Sequence, residues 1–260
     1  MVDINNNAAG LSTENRVSSH ITDASGNIRT EDDTVAVEHI MELSVNGVPA
    51  VRLSCTPGHL PELVLGRLYS QGIIDGLDDV DRIFICGEGN IAEVYLKKEI
   101  EAEVSREREA TCCTGNKTYM ENACRREAGP FEARKPESSV IFEMAEAFEK
   151  DTALHRSTGG THSCHIRYPD GTMESYEDIS RHNALDKALG AMLLKEYKPS
   201  ECVVYTSGRV AADMAEKCIS AGIPVLVSKA APTTAALDLA RRYRLILIGK
   251  ARPDSYRIWE

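Results

Sequence analysis

The sequence predicts an α/β protein in which a smaller β-rich amino-terminal unit precedes a larger domain built on a helix-covered sheet. Three observations carry that prediction. From residue 183 onward, helical and extended patterns alternate with short connections, which indicates a predominantly parallel sheet covered on both faces. The first hundred residues instead hold short apolar runs broken by turn residues, with one helical pattern among them. At 260 residues the chain suits one large domain or two small ones, with ample length to bury a core.

Taken in order, residues 1–34 are rich in Asn, Ser, Thr and Asp and lack apolar periodicity, which predicts a disordered or loosely docked tail. Apolar residues alternate through Val35–Val45, an Asn46–Gly47 pair follows, and Ala50–Ser54 continues the pattern, so the segment reads as a tight β-hairpin. Leu60, Leu63, Leu65, Leu68 and Tyr69 lie at helical spacing, and Pro61 is tolerated in a first turn. Val80–Cys86 and Ile91–Lys97 are two further strands around a CGEGN turn, completing a unit over residues 35–101.

Residues 102–139 form a polar stretch with no helix or strand pattern, longer than the roughly 12–15 residues usual for a structureless loop in a compact domain. The stretch carries TCCTGNKT at Thr111–Thr118, with adjacent cysteines Cys112 and Cys113 near lysine and arginine, a setting that stabilises thiolates. The remaining domain, residues 140–260, opens with a helix over Val140–Leu154 and a hairpin of Thr161–Tyr168 and Met173–Tyr176 closed by PDG. Helix Asn183–Glu196, strand Cys202–Thr206, helix Val210–Ala221, strand Val225–Val227, helix Thr233–Tyr243 and strand Leu245–Ile248 follow.

The formal charge of −10 argues against general attraction to nucleic acid or an anionic membrane, so an anionic small ligand needs a local pocket. No apolar run approaches the roughly 20 residues that span a bilayer, and the amino terminus lacks signal-peptide features. A cytoplasmic location is expected. Eight cysteines without regular spacing then point to reduced thiols.

Ligands of such sheets lie at the carboxyl ends of strands. Two neighbouring strand ends are too polar for mere connection: one continues as Ser207, Gly208 and Arg209, the other as Ser228, Lys229, Pro232 and Thr233. Each leads into a helix, whose amino-terminal N–H groups favour anions, so the pair points to a phosphate or nucleotide pocket. The simpler alternative is that Ser207 and Thr233 are helix caps and the cations are solvated. Arg181, His182 and Asn183 form an unbroken run of ligand-capable side chains at another helix start, while capping and i,i+4 ion pairs account for Asp178 and Asp186. His162, after a glycine pair, is a candidate for the same cavity. Cys112, Cys113, Cys124, His155, His162, Cys164 and His165 offer metal ligands, but without CxxC or zinc-site spacing no metal is expected.

TGGTH at 158–162, EDISRHNALDK at 177–187, SGRV at 207–210 and AGIPVLVSKAAPTTAALDLA at 221–240 resemble the formate dehydrogenase accessory sulfurtransferase (FdhD) family. The likeness runs from about Val35 to the end and includes the ELSVNGVPAVRLSCTPGHLPELVLGRLYSQGII segment. The resemblance implies a three-layer α/β/α carboxyl-terminal domain similar to cytidine deaminase, without its zinc ligands. It implies a protein that takes persulfide sulfur from a cysteine desulfurase and passes it to the molybdenum cofactor, bis(molybdopterin guanine dinucleotide), of the formate dehydrogenase apoenzyme.

The family's loop commonly carries CGxCG, and this chain departs from it: three residues beyond Cys112 and Cys113 stand Gly115 and Asn116. The resemblance assigns the persulfide to Cys113, with Cys112 as substitute or resolving partner. Arg181, Arg209, Lys229 and the helix starts at Val210 and Thr233 become phosphate contacts for the cofactor or a guanine nucleotide. Tyr256, Arg257, Ile258 and Trp259 occupy the place of a cofactor-binding tail, with strand packing as the alternative. The likeness also makes a homodimer reasonable. A nonenzymatic chaperone that binds the molybdenum cofactor without moving sulfur is the rival reading, and a redox-sensing or metal-binding use of Cys112 and Cys113 is a third.

Overall fold

The computed structural model of the protein describes residues 2–97, 117–118, 129–132, 134–150 and 152–259. Residues 1–34 are not the disordered or loosely docked tail that their composition predicts. They carry β1 (Asp3–Asn6), β2 (Glu14–Thr22) and most of β3 (Ile28–Ala36). Main-chain pairing makes the difference, because it does not require apolar side chains. The hairpin of β2 and β3 is closed by Asp23, whose carboxylate accepts from Ser25 N at 2.8 Å and Asn27 N at 3.0 Å. Val35 and Ala36 end β3, so the alternation read as one run over Val35–Val45 is interrupted before β4 (His39–Val45).

β4 turns into β5 (Val48–Cys55) through Asn46 and Gly47, both at positive φ, as the paired-strand twist of a two-residue turn requires. β6 (Val80–Ile85) and β7 (Ile91–Leu96) follow helix α1 (Leu60–Ser70). The first sheet has the order β1-β6-β7-β4-β5-β8, where β8 is Lys117–Thr118. Most of the expected structureless loop over 102–139 lies outside the described residues; of those described, Lys117–Thr118 pair with β5, and the end of the stretch already belongs to α2 (Ser138–Lys150).

The second sheet is built from β9 (His162–Arg167), β10 (Met173–Asp178), β11 (Val203–Thr206), β12 (Val225–Ser228), β13 (Ile246–Gly249) and β14 (Arg257–Ile258), in the order β10-β9-β11-β12-β13-β14. Only β11-β12 and β12-β13 run parallel, which corrects the expectation of a predominantly parallel sheet. The cause is topological. The β9-β10 hairpin places β9 antiparallel beside β11, so α4 (Arg181–Leu194) crosses from β10 to β11 over the strand between them. A returning β14 adds an antiparallel edge.

Period-two alternation sorts the strand residues between two faces. Val203, Tyr205, Val225, Val227 and Ile248 face α2, while Val204, Leu226 and Leu247 join a core with α4, α5 (Ala212–Ser220) and α6 (Thr234–Tyr243). That second core is continuous with the first sheet: Met41, Leu53 and Ile83 belong to the same cluster as Leu185 and Leu226. The two sheets thus share one apolar interior, and the second sheet has a further cluster against α2.

The join is the α1-α4 crossing. A Cβ at Gly66 would overlap the Asp186 carbonyl oxygen, and one at Gly190 would overlap that of Glu62. Two glycines let the helix backbones touch. Beside them Ser70 donates to Asp186 at 2.8 Å, and Lys217 of α5 reaches both carboxylate oxygens of Asp186 at 2.6 Å.

Candidate functional site

An open cavity of about 610 Å³ lies where β11 and β12 end and β9 begins, lined by Phe148, His155, His162, Ser163, Ser207 and Lys229. The sequence folds this way because VVYT and VLVS are buried within the sheet, and the chain turns polar as it leaves. Two buried hydroxyls fix the exits. Thr206 Oγ1 accepts from Gly208 N at 3.2 Å, and Ser228 Oγ donates to Gly208 O at 2.7 Å while accepting from Ala230 N at 2.9 Å.

Ser207 exchanges main-chain and side-chain hydrogen bonds with Ser163, its N donating to Ser163 O at 3.0 Å and its Oγ accepting from Ser163 N at 3.1 Å. The same Oγ lies 3.1 Å from His162 Nδ1. Lys229 also lines the cavity, with its Nζ 5.7 Å from the centre of the Phe148 ring. His155 sits on α3 (Ala153–Thr158), a short helix whose start is held by Glu177: its carboxylate accepts from Leu154 N at 2.8 Å and His155 N at 2.7 Å. The His155 Nδ1 contacts Thr161 O at 2.7 Å, so this nitrogen carries the hydrogen.

Arg181 opens α4, and its side chain packs across Gly208, where a Cβ would meet Arg181 Cδ at 2.8 Å. Its Nε and Nη2 are buried and lack a hydrogen-bond partner among the described residues. Arg156 and Lys229 put positive charge in the cavity lining beside Glu149, and Arg181 stands outside that lining. Burial, then Arg181, His155 and His182, push the pKa of His162 below its ordinary value, with Asp178 acting weakly in the opposite sense.

Not every predicted ligand reaches the cavity. Asn183 is fully buried and donates to Ser54 O at 2.8 Å and Asp178 Oδ1 at 3.0 Å, so it joins the two halves instead of facing a ligand. His182 is buried with Nε2 2.9 Å from Asp213 Oδ2 on α5. Gly208 and Ser228 shape the turn from within. Pro232 bridges Val210, and α5 starts at Ala212 instead of Val210. Thr233 caps α6, its hydroxyl accepting from Ala236 N at 3.3 Å. Arg209 is exposed, two residues along the chain from the lining residue Ser207.

The terminal segment behaves as an edge strand. Ile258 pairs with Ile248 and Arg257 with Gly249, while the Trp259 ring covers Gly249. Tyr256 lies 2.7 Å from Ser138 and packs beside Phe142.

Asp178 and Asp186 do more than cap and pair along a helix. Lys187 Nζ lies 2.7 Å from Asp178 Oδ2, with both side chains wholly buried, and also donates to Thr56 Oγ1, Thr56 O and Glu177 O at 2.7, 3.2 and 3.1 Å. Asp178 accepts further from Thr56 N, Ser180 N and Asn183. This network fixes the exit of β10 against the start of α4, and therefore places Glu177 and Arg181.

Cys112, Cys113 and Cys124 lie outside the described residues. Of the other five thiols, Cys55, Cys164, Cys202 and Cys218 are buried, and burial pushes the pKa of Cys55, Cys202 and Cys218 up to about 12 and that of Cys164 well above its ordinary value. Such thiols are poor nucleophiles. No group of three or more His, Cys, Asp or Glu side chains suited to a metal occurs among the described residues, and no described helix is long and apolar enough to cross a membrane.

Sequence reasoning missed Phe148, His155 as a cavity residue, and the clamp by Glu177. The only advance signal for the clamp was an acidic residue beside Asp178, which looks like ordinary surface charge.

Residues 36–260 match the FdhD/NarQ family. A protein named sulfur carrier protein FdhD from Sulfurisphaera tokodaii is 34% identical over 236 residues, covering 88% of this chain and 90% of the relative. The protein of the same name from Geobacillus kaustophilus is 30% identical over 238 residues, covering 90% of each. The fold also resembles the crystal structure of a formate dehydrogenase accessory protein from Desulfotalea psychrophila, with a TM-score of 0.77 and 24% identity over 96% of this chain and 97% of that one.

Proposed function

The chain belongs to the FdhD/NarQ family, and from that membership we propose that it is a sulfur carrier that matures formate dehydrogenase. Sulfur arrives as a persulfide from a cysteine desulfurase and leaves for the molybdenum cofactor, the anionic acceptor substrate. The observation that carries the reading is the extent of the likeness to proteins named as sulfur carriers, about nine-tenths of both chains.

Cys113 is the proposed carrier. Its thiolate attacks the outer sulfur of the donor persulfide, forming Cys113–S–SH and releasing the desulfurase thiolate, so that one S–S bond forms as another breaks. The raised pKa values of the four buried thiols favour a carrier among the remaining cysteines. Cys112, next in the chain, is the substitute or resolving thiol.

The cavity at the ends of β11 and β12 is the proposed acceptor site. A polyanion such as bis(molybdopterin guanine dinucleotide) needs concentrated positive charge and directed donors. Lys229, Arg156 and Ser207 line the cavity, and Arg181, whose Nε and Nη2 are buried without a partner among the described residues, adds charge beside Gly208. Arg209, exposed two residues beyond Ser207, is a further proposed phosphate contact for an extended ligand. Helices on both faces of the second sheet agree with the likeness to cytidine deaminase proposed for this domain. A homodimer and a cytoplasmic location complete the reading.

Incubation with a desulfurase and cysteine, followed by mass spectrometry of the loop peptide, tests it. One added sulfur on the peptide is expected in wild type and none on Cys113 in Cys113→Ala, which also fails to restore formate dehydrogenase activity to a strain lacking its own factor. Full restoration by Cys113→Ala removes the persulfide step and leaves a cofactor-binding chaperone.

A further inference from the structure

We propose that a phosphate-type oxyanion enters the cavity together with a proton, which is taken up by His162 and reverses the hydrogen bond between His162 and Ser207. The inference rests on the reading of this cavity as the acceptor site and adds a proton linkage to it.

The geometry of Ser207 sets up the switch. Its Oγ already accepts from Ser163 N at 3.1 Å, so the hydroxyl hydrogen must find another acceptor. Neutral His162 in its Nε2–H tautomer provides one, with Nδ1 at 3.1 Å. When His162 is protonated, Nδ1 becomes a donor and its hydrogen points at Ser207 Oγ. The hydroxyl hydrogen then has to turn away, and both Ser207 and His162 line the cavity. One proton therefore adds a charge and frees a donor on the same wall.

The groups that bear on His162 make this event dependent on an anion. Ser207 faces it from the end of β11, Arg181 and His182 from the start of α4, His155 from α3, and Asp178 from the end of β10. Asp178 is paired with Lys187 and buried; Glu177 reaches Thr161 and Glu149 lines the same cavity, against the cations Arg156, Lys229 and Arg181, so the balance is cationic by one charge. Burial and these cations keep His162 neutral near pH 7, its pKa lying below the ordinary 6.5. An incoming dianion offsets the neighbouring cations and stabilises the imidazolium. By linkage, whatever factor separates the anion affinities of the two protonation states also separates the proton affinities of the free and bound protein.

Sulfate is the suitable probe, because it is a tetrahedral dianion that does not titrate near neutrality, unlike phosphate. The His162 ring resonances, assigned by their absence in His162→Gln, are followed by NMR against pH with and without saturating sodium sulfate. The expected result is a rise of about one pKa unit or more in sulfate, with affinity falling up to ~10-fold per pH unit above the free pKa. His162→Gln, which cannot titrate, should bind sulfate with a flattened pH dependence. Sulfate binding that leaves the His162 titration unmoved overturns the inference and spares the acceptor-site reading. Failure of sulfate to bind at pH 6 while a guanine nucleotide binds also overturns it. A coupled sulfate site in a protein that binds no guanine nucleotide upholds the inference and refutes the nucleotide reading.

Discussion

Replacing Lys187 with Met keeps most of the side-chain volume but strands the Asp178 carboxylate. Both groups are wholly buried and 2.7 Å apart, so removing one partner leaves a charge that water cannot reach. Breaking a buried pair in this way costs about 3–5 kcal/mol. Two features set where in that range the cost falls. Thr56 N, Ser180 N and Asn183 Nδ2 still donate to Asp178 at 2.9–3.0 Å, which moderates the loss. Against this, the carbonyls of Thr56 and Glu177 lose the donor that now satisfies them at 3.2 and 3.1 Å. At roughly 2–4 °C per kcal/mol for a chain of this size, the melting temperature should fall by ~6–20 °C. Thermal unfolding by circular dichroism, supported by urea titration, measures it. The double variant Lys187→Met with Asp178→Asn should be less destabilised than the sum of the single variants by about 1–3 kcal/mol, since the second change removes the stranded charge. A single-variant loss below ~1 kcal/mol, or strict additivity, would refute the assignment of this pair as the clamp between β10 and α4.

Gly66→Ala forces a methyl group into the Asp186 carbonyl, which the helix backbones cannot yield, so a loss at or above the ~1–3 kcal/mol of ordinary overpacking is expected in the same unfolding assay. Lys217 gives a pH signature: burial lowers its pKa from the ordinary 10.5 to about 8 despite the nearby Asp186 carboxylate. Between those values the unfolded chain holds more protons than the folded one, so this contribution makes stability rise from pH 8 towards 10.5, and Lys217→Met should remove that rise in urea titrations across the window. Arg181→Ala should weaken a guanine nucleotide by about tenfold or more, as expected for loss of a charged hydrogen bond, and unchanged affinity by calorimetry would take Arg181 out of the acceptor site. The Cys113→Ala peptide and complementation experiment tests the carrier itself.

Local patterns predicted much of the architecture. The Asn46–Gly47 turn, the α1 spacing from Leu60 and the strand-helix alternation after Asn183 each express backbone and periodicity rules that act over a few residues. They failed where the decisive partner is remote. Residues 3–34 look unstructured because their strands are secured by main-chain bonds, and Asp3–Asn6 pairs with β6 nearly eighty residues away. The direction of β9 relative to β11 likewise depends on which edge the hairpin joins, which no local pattern encodes.

The candidate site divides along the same line. Ser207, Lys229, His162 and Arg181 are recognisable as polar residues at strand ends and helix starts, because the chain must turn polar where it leaves the sheet. Asn183 and His182 look equivalent to Arg181 in the sequence, yet the rotation of α4 sends them towards Ser54 and Asp213. A helix advances about 100° per residue, so three adjacent polar side chains cannot share one face. The order of residues alone carries the family likeness and the polar chemistry of the strand ends. Which charges meet is a matter of packing: it brings Glu177 to α3, buries Lys187 against Asp178 and sets Ser207 beside His162, because burial and distance between remote segments are properties of the packed chain.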